Sequence, residues 1–310
     1  AGFRRRALTM AGRDAFAVVR ARLDALGFRP SSTLGQNFLL DPSLHRWIAE
    51  QAELTGRDTA IEIGAGLGFL TRELTARAGR VVAVEIDGRL LGLARADLAA
   101  CANVQWVHGN ALAGVDGGLH PDIVAAASAA TGRLALVANL PYAASGPLLA
   151  GTAGLPRLPE RCVLLVQKEL AQRLAARAGT PDYGGLSALL QALYTVRTLR
   201  DVPPQVFRPR PKVVSSVVQF DLRADAALVS APGDQRARFA RFLRHLFQQR
   251  RKVLRTTLPA AAAAVGRLPP PLAGAELALR AEAIAPDTLV QWWLACPPGP
   301  AGAPGPTGAG

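Results

Sequence analysis

The sequence predicts an α/β fold: a parallel sheet covered by helices on both faces, followed by a small all-helical segment. Three observations carry this. Short apolar, β-rich runs recur with helix-like segments between most of them, a glycine-rich turn follows the first run, and beyond Leu222 helical spacing replaces strand signals. Strand and helix alternating along one chain is the pattern of parallel strands joined by crossover helices.

The predicted strands are Thr59 to Ile63, Val81 to Glu85, Val104 to Val107, Leu134 to Ala138 and Cys162 to Val166. Predicted helices include Leu44 to Leu54, with Leu44, Trp47 and Ile48 on one face, and Phe69 to Ala78. From Asp234 to Leu258, Phe239, Phe242, Leu243, Leu246, Phe247 and Leu254 recur at helical spacing. Pro269, Pro270 and Pro271 interrupt the chain before a last helix near Asp287 to Ala295. The expected organisation is a basic N-terminal extension over 1–30, a sheet domain over 31–223, a helical domain over 224–296 and a disordered Pro/Gly/Ala tail over 297–310.

Charge narrows the class of partner. Lys and Arg number 36 against 23 Asp and Glu, giving a net charge of +13 and a pI near 11.1, so a polyanion such as nucleic acid is expected. The excess is local: residues 1–30 carry +5, 31–199 carry 0, 200–257 carry +9 and the remainder −1. Arg241, Arg244, Gln248, Arg251 and Arg255 recur at steps of three and four, forming one mostly cationic face if the helix is continuous. Such a face contacts phosphates or is merely solvated.

Apolar residues at 50%, without any run of about 18, exclude an ordinary membrane span and a wholly disordered chain. Cys101, Cys162 and Cys296 are far apart and lack CxxC spacing, and His45, His108, His120 and His245 are scattered, so neither a disulfide frame nor a metal site is expected. Arg4, Arg5 and Arg6 precede no apolar signal core, while Asp14 and Asp24 argue against a transit peptide. A cytoplasmic monomer is the expectation.

The first predicted strand runs into Glu62-Ile63-Gly64-Ala65-Gly66-Leu67-Gly68, and the next ends at Glu85. Glycines at a strand-to-helix turn admit a ligand close to the backbone. A dinucleotide fingerprint needs a third glycine where Phe69 stands. GxGxG with an acid at the end of the second strand suits S-adenosylmethionine instead, whose ribose hydroxyls a carboxylate such as Glu85 can accept from. An ordinary tight turn beside a surface acid would read the same way.

After Leu134 to Ala138 comes Asn139-Leu140-Pro141-Tyr142, at the strand end where open α/β sheets bind ligands. The Asn139 amide oxygen and a backbone carbonyl near Pro141 could accept from an exocyclic amine, and the Tyr142 ring offers a surface for a flipped base. Asn before a proline turn is equally common as a plain turn or helix cap.

Together these segments resemble the ribosomal RNA adenine dimethyltransferases, most closely the bacterial small-subunit branch. The resemblance rests on Gly35-Gln36-Asn37-Phe38-Leu39, the glycine turn, Val84-Glu85-Ile86-Asp87, Asn139-Leu140-Pro141-Tyr142 and Gln167-Lys168-Glu169, in that order. It continues through Tyr183-Gly184-Gly185-Leu186-Ser187, Phe207-Arg208-Pro209-Arg210-Pro211-Lys212-Val213, Phe247-Gln248-Gln249-Arg250-Arg251-Lys252 and Arg280-Ala281-Glu282.

The resemblance implies a Rossmann-like, S-adenosylmethionine-dependent methyltransferase domain that dimethylates two adjacent adenines in a hairpin near the 3′ end of small-subunit rRNA, within an immature ribosomal subunit. It implies that Gln36, Asn37, Leu39, Gly64, Gly66, Glu85, Asn110 and Asn139 line the cofactor, and that Asn139, Pro141 and Tyr142 hold the target base. Phe207 would stack on the other face of that base, or be a core aromatic between prolines. Arg241, Arg251 and Arg255 would contact RNA.

Two departures stand out. Asn110 occupies a position where the family usually has an acid accepting from the cofactor's adenine amine, so binding there is expected to be weaker. Ala143-Ala144-Ser145 replaces a polar Asn and a larger apolar residue. The competing functions are a large-subunit rRNA adenine methyltransferase of the antibiotic-resistance branch and a largely non-catalytic ribosome-assembly factor.

Overall fold

The computed structural model describes residues 17, 21–25, 27–29, 36–115 and 118–299. Most of the basic extension, Gly35 and the tail from residue 300 lie outside the described residues. Five strands are parallel: β2 (Thr59–Ile63), β3 (Arg80–Glu85), β4 (Val104–His108), β5 (Leu134–Asn139) and β6 (Arg161–Gln167). They match the five predicted strands to within one residue at each end. Two further strands, β7 (Tyr194–Val202) and β9 (Ser215–Leu222), extend the sheet antiparallel, giving the order β4-β3-β2-β5-β6-β9-β7. A separate two-stranded ribbon pairs β1 (Phe38–Leu39) with β8 (Phe207–Arg208).

Side chains alternate across the sheet, as the two-residue period of a strand requires. Ile61, Ile63, Val82, Val84, Leu136 and Ala138 enter one apolar cluster, whereas Ala60, Val81, Ala83, Ala135 and Val137 enter the cluster on the opposite face. Both faces are covered, which is why these strands read as continuous apolar runs. The covering helices are α1 (Pro42–Gln51), α2 (Phe69–Thr75), α3 (Gly88–Asp97), α4 (Pro121–Ser128), α5 (Ser145–Thr152), α6 (Lys168–Ala175) and α7 (Gly185–Gln191). Helix α1 starts two residues before the predicted Leu44 because Asp41 Oδ1 accepts from the Ser43 and Leu44 amides, with Pro42 in the first turn.

The C-terminal helices are α8 (Gly233–Leu246), α9 (Leu254–Ala263), the short α10 (Gly274–Leu277) and α11 (Pro286–Ala295). The segment of helical spacing from Asp234 to Leu258 is not one continuous helix: it breaks after Leu246. No apolar residue falls from Gln248 to Lys252 to keep that turn on the core, and Arg250 instead donates to the Pro181 and Tyr183 carbonyls and pairs with Glu282. Arg241 and Arg244 therefore lie on one helix, while Arg251 precedes the next and Arg255 lies on it.

These helices do not carry a separate core. Phe239, Phe242, Leu243, Leu246 and Trp293 belong to the same apolar cluster as Leu189 and Leu190 of α7. Arg236, only 2% exposed, crosses the junction and donates from Nε to the Ala153 carbonyl at 2.8 Å, with further bonds to the Leu155 and Ala231 carbonyls. A buried guanidinium is tolerated because its N–H groups find acceptors. Arg236 is thus part of the fold and unavailable to RNA. No described helix is long and apolar enough to cross a membrane.

Candidate active site

The chain runs outward from β2 through β3 to β4, then returns to place β5 on the other side of β2. This reversal leaves a crevice at the carboxyl ends of β2 and β5, where open α/β sheets take ligands. β2 and β5 pair only over Thr59–Ile61 and Leu134–Leu136. Beyond that point lies a cavity of about 300 Å³, lined on one side by the glycine turn and on the other by Asn139 to Ala144.

The turn is built for close approach. Gly64 has φ +79°, and a Cβ there would sit 3.6 Å from both the Asn139 carbonyl oxygen and Pro141 Cδ. Gly66, at φ +54°, lies against the Phe38 ring. Both conformations are ones that residues with a Cβ rarely adopt. The Gly64 and Ala65 amides donate to the Val84 carbonyl at 2.8 and 3.1 Å, fixing the turn to the end of β3.

Glu85 closes the same end. Its Oε2 accepts from the Gly66 amide at 2.7 Å and its Oε1 from the Asp87 amide at 2.9 Å. Each oxygen retains capacity for another donor. Burial raises the Glu85 carboxyl above the usual range, against the two amides that favour its charged form. Glu62 also lines the cavity and is more deeply buried; desolvation pushes it up to about 8, opposed by the Thr71 hydroxyl at 2.6 Å and assisted by the Glu85 charge.

Opposite, the Asn139 amide nitrogen donates to the Asn37 carbonyl at 3.3 Å, leaving Oδ1 as the acceptor for a ligand. The Pro141 carbonyl accepts from the Ala144 amide at 3.0 Å and the Ser145 hydroxyl at 2.9 Å, so its lone pairs are committed to the turn. The Ser145 hydroxyl therefore holds the loop. The Tyr142 hydroxyl meets Ser215 Oγ at 2.6 Å.

Gln36, Asn37, Leu39, Gly64, Gly66, Glu85, Asn110, Asn139, Pro141 and Tyr142 all line this cavity. Asn110 is exposed there, and its Oδ1 accepts from the Leu112 amide at 3.0 Å. Phe207 does not join them. Its ring is completely buried in the apolar cluster with Leu39, Leu44 and Val217, because Phe207 pairs with Leu39 in the small ribbon. The expectation that it stacks on the base is thereby corrected to the core reading. Arg241, Arg251 and Arg255 are exposed and lie outside the cavity.

Three polar residues of the site escaped the sequence reading. Glu62 looked like part of a strand, although a carboxyl within a run of aliphatic residues was a signal. His45 is buried, and its Nε2 donates to the Leu39 carbonyl at 2.9 Å, tying α1 to the strand that lines the cavity; burial lowers its pKa and keeps it neutral. Ser215 had no local signal, since only the sheet order brings it to Tyr142. Among the described residues, no group of three His, Cys, Asp or Glu is arranged to hold a metal ion.

A crevice at the sheet's reversal point, a glycine turn and a buried acid ending the second parallel strand define a Rossmann-like α/β protein of the methyltransferase class. Solved structures of similar fold include a dimethyladenosine transferase from Plasmodium falciparum (TM-score 0.63, 22% identity, covering 82% of this chain and 95% of that one) and the 23S rRNA methyltransferase ErmE (TM-score 0.56, 25% identity, 83% and 98%). The family model for ribosomal RNA adenine dimethylase matches residues 27–264, and the chain belongs to that family. Its relatives include proteins named ribosomal RNA small subunit methyltransferase A from Magnetococcus marinus, 38% identical over 92% of this chain and 98% of the relative, and from Rhodospirillum rubrum, 41% identical over 87% and 89%.

Proposed function

We propose that this protein transfers methyl groups from S-adenosylmethionine to the exocyclic N6 amines of two adjacent adenines, two on each, in the 3′-terminal hairpin of small-subunit rRNA. It acts on an immature subunit, as a cytoplasmic monomer. The observation that carries this reading is the meeting, in one cavity, of the glycine turn with Glu85 and the segment Asn139 to Tyr142.

The residues present fit the cofactor. The Gly64 turn leaves room that a Cβ would occupy beside the Asn139 carbonyl. Glu85 offers two partly satisfied carboxylate oxygens to a diol, and Leu39, Ile63 and Leu90 supply apolar wall. When bound, S-adenosylmethionine supplies an electrophilic methyl group.

The chain's own contribution is to orient the acceptor. Asn139 Oδ1, held outward by the bond to the Asn37 carbonyl, accepts from the adenine amine. A backbone carbonyl near Pro141, other than the committed Pro141 carbonyl itself, serves as the second acceptor in this reading. Two acceptors draw the amine's hydrogens away from the ring plane, freeing its lone pair for attack and binding the tetrahedral transition state better than the flat ground state. Tyr142 gives the extruded base a stacking surface. Exposed Arg241, Arg251 and Arg255 hold phosphates outside the cavity.

A large-subunit substrate is less well supported: the relatives named for the small subunit are 38–41% identical, against 25% for the 23S methyltransferase structure. A purely non-catalytic assembly role gives no reason for the paired cavity walls. The deciding experiment is methylation of immature small subunits with labelled cofactor, followed by mapping. Two neighbouring dimethyladenines near the 3′ end are expected; label confined to large-subunit rRNA, or none at all, overturns the assignment.

A further inference from the structure

Tyr142 is half-buried and reaches from the end of β5 to the first residue of β9. Because β9 runs antiparallel to β6, its amino end lies at the carboxyl edge of the parallel strands, where Ser215 pairs with Gln167 on one side and Val202 on the other. Ser215 is fully buried, and its Oγ lies 2.6 Å from the Tyr142 hydroxyl. A tyrosine ring has only two side-chain torsions, and its χ2 well is broad. Anchoring the hydroxyl at one end, with Cβ fixed at the other, holds χ1 and the line of the ring; Cβ, Cγ, Cζ and the hydroxyl oxygen are collinear, so the ring keeps its place while it turns about χ2.

The next residue fixes the anchor itself. Ser216 Oγ donates to Asp201 Oδ1 at 2.7 Å, and Asp201 Oδ2 accepts from Lys168 Nζ at 2.6 Å. The Lys168 amide donates to the Val214 carbonyl at 2.9 Å. The segments Gln167-Lys168-Glu169 and Lys212-Val213-Val214-Ser215-Ser216 thus hold the start of β9 rigidly beside the cavity, a role that cofactor and phosphate contacts leave unassigned.

We propose that Ser215 is a positioning residue, whose hydroxyl fixes where the Tyr142 ring stands as the wall against which the target base is held. This rests on the reading of Tyr142 as the base platform. The antiparallel direction of β9 is what brings its first residue, and with it a buried hydroxyl, to the ligand edge.

The test is a double-mutant cycle of Ser215→Ala and Tyr142→Phe in the full chain. Methyl transfer to immature small subunits is followed in single turnovers at saturating cofactor, with cofactor affinity and thermal stability measured alongside. Each single variant is expected to slow transfer about 5- to 10-fold while cofactor affinity stays unchanged, and the double variant to be no slower than either, because both remove one bond. Near-normal rates in both single variants, or losses that multiply in the double, overturn the proposal. Tyr142→Ala separates it from the reading beneath it: a normal rate there removes Tyr142 as the platform, whereas a large loss with a fully active Ser215→Ala removes only the positioning role.

Discussion

The Gly66 amide donates to Glu85 Oε2 across 2.7 Å, joining the turn after the first parallel strand to the end of the second. One carboxylate thereby shapes the glycine turn and presents acceptors to the cavity. Replacing Glu85 with Ala is expected to weaken S-adenosylmethionine binding by about 1 to 3 kcal/mol, since a charged acceptor and its preorganised geometry are lost together. Calorimetric titration measures this; unchanged affinity would remove Glu85 from the cofactor site.

Glu62 makes a prediction about stability. In the unfolded chain its carboxyl titrates at the ordinary value of 4.5, and in the fold at about 8. Between those two values the folded state holds a proton that the unfolded state has released, so stability contributed by this group is full below the lower value and declines as pH rises to the upper one. Glu62→Gln keeps an acceptor for Thr71 and cannot ionise. Its advantage over the wild type in denaturant unfolding should therefore grow by on the order of a few kcal/mol from about pH 5 to about pH 8. A constant difference across that window would mean that Glu62 is hydrated and titrates normally.

Much of the architecture was legible because burial on both faces leaves a clear signature: four of the five parallel strands are mostly aliphatic runs, and the edge strand β4 keeps only Val107 buried. The antiparallel strands were not read, although Tyr194–Val202 and Ser215–Leu222 hold β-branched and aromatic residues. In the first, the exposed Arg197, Arg200 and Asp201 dilute the apolar signal, and in the second the buried but polar Ser215, Ser216 and Gln219 do so. Of the site, the glycine turn, Glu85 and Asn139 to Tyr142 were legible as motifs with local chemistry. Phe207, Arg236 and Ser215 were not, because their roles depend on partners far away in sequence: Leu39, Ala153 and Tyr142. Arg236 is the sharpest case, a cation counted toward the basic segment that the fold consumes internally.

The charge that remains outside predicts how RNA is held. Arg241, Arg251 and Arg255 are exposed, whereas Arg250 is engaged with Glu282 and two carbonyls. Replacing the three exposed arginines with Gln should reduce the log-log salt slope of small-subunit binding by about 2, at roughly 0.7 to 0.9 per phosphate contact. Melting temperature should hardly change, because none of the three is buried. A slope identical to that of the wild type would show these side chains to be solvated bystanders.

The chemistry itself rests on Asn139, whose amide is oriented by donation to the Asn37 carbonyl at 3.3 Å. An adenine amine is a poor nucleophile because its lone pair is conjugated with the ring, and no base adjoins Asn139 to deprotonate it in the described hydrogen bonds. Acceptors that strengthen as the nitrogen becomes tetrahedral lower the barrier without a base. Asn139→Ala should slow single-turnover methylation by roughly 10² or more at saturating cofactor and RNA, the scale of a lost transition-state hydrogen bond. Asn139→Asp should also be slow, since a carboxylate cannot donate to the Asn37 carbonyl and the oxygen facing the amine loses its fixed orientation. RNA affinity should be nearly unchanged in both variants, because Arg241, Arg251 and Arg255 lie outside the cavity. A near-normal rate for Asn139→Ala would reduce this residue to part of a turn and move the active site elsewhere.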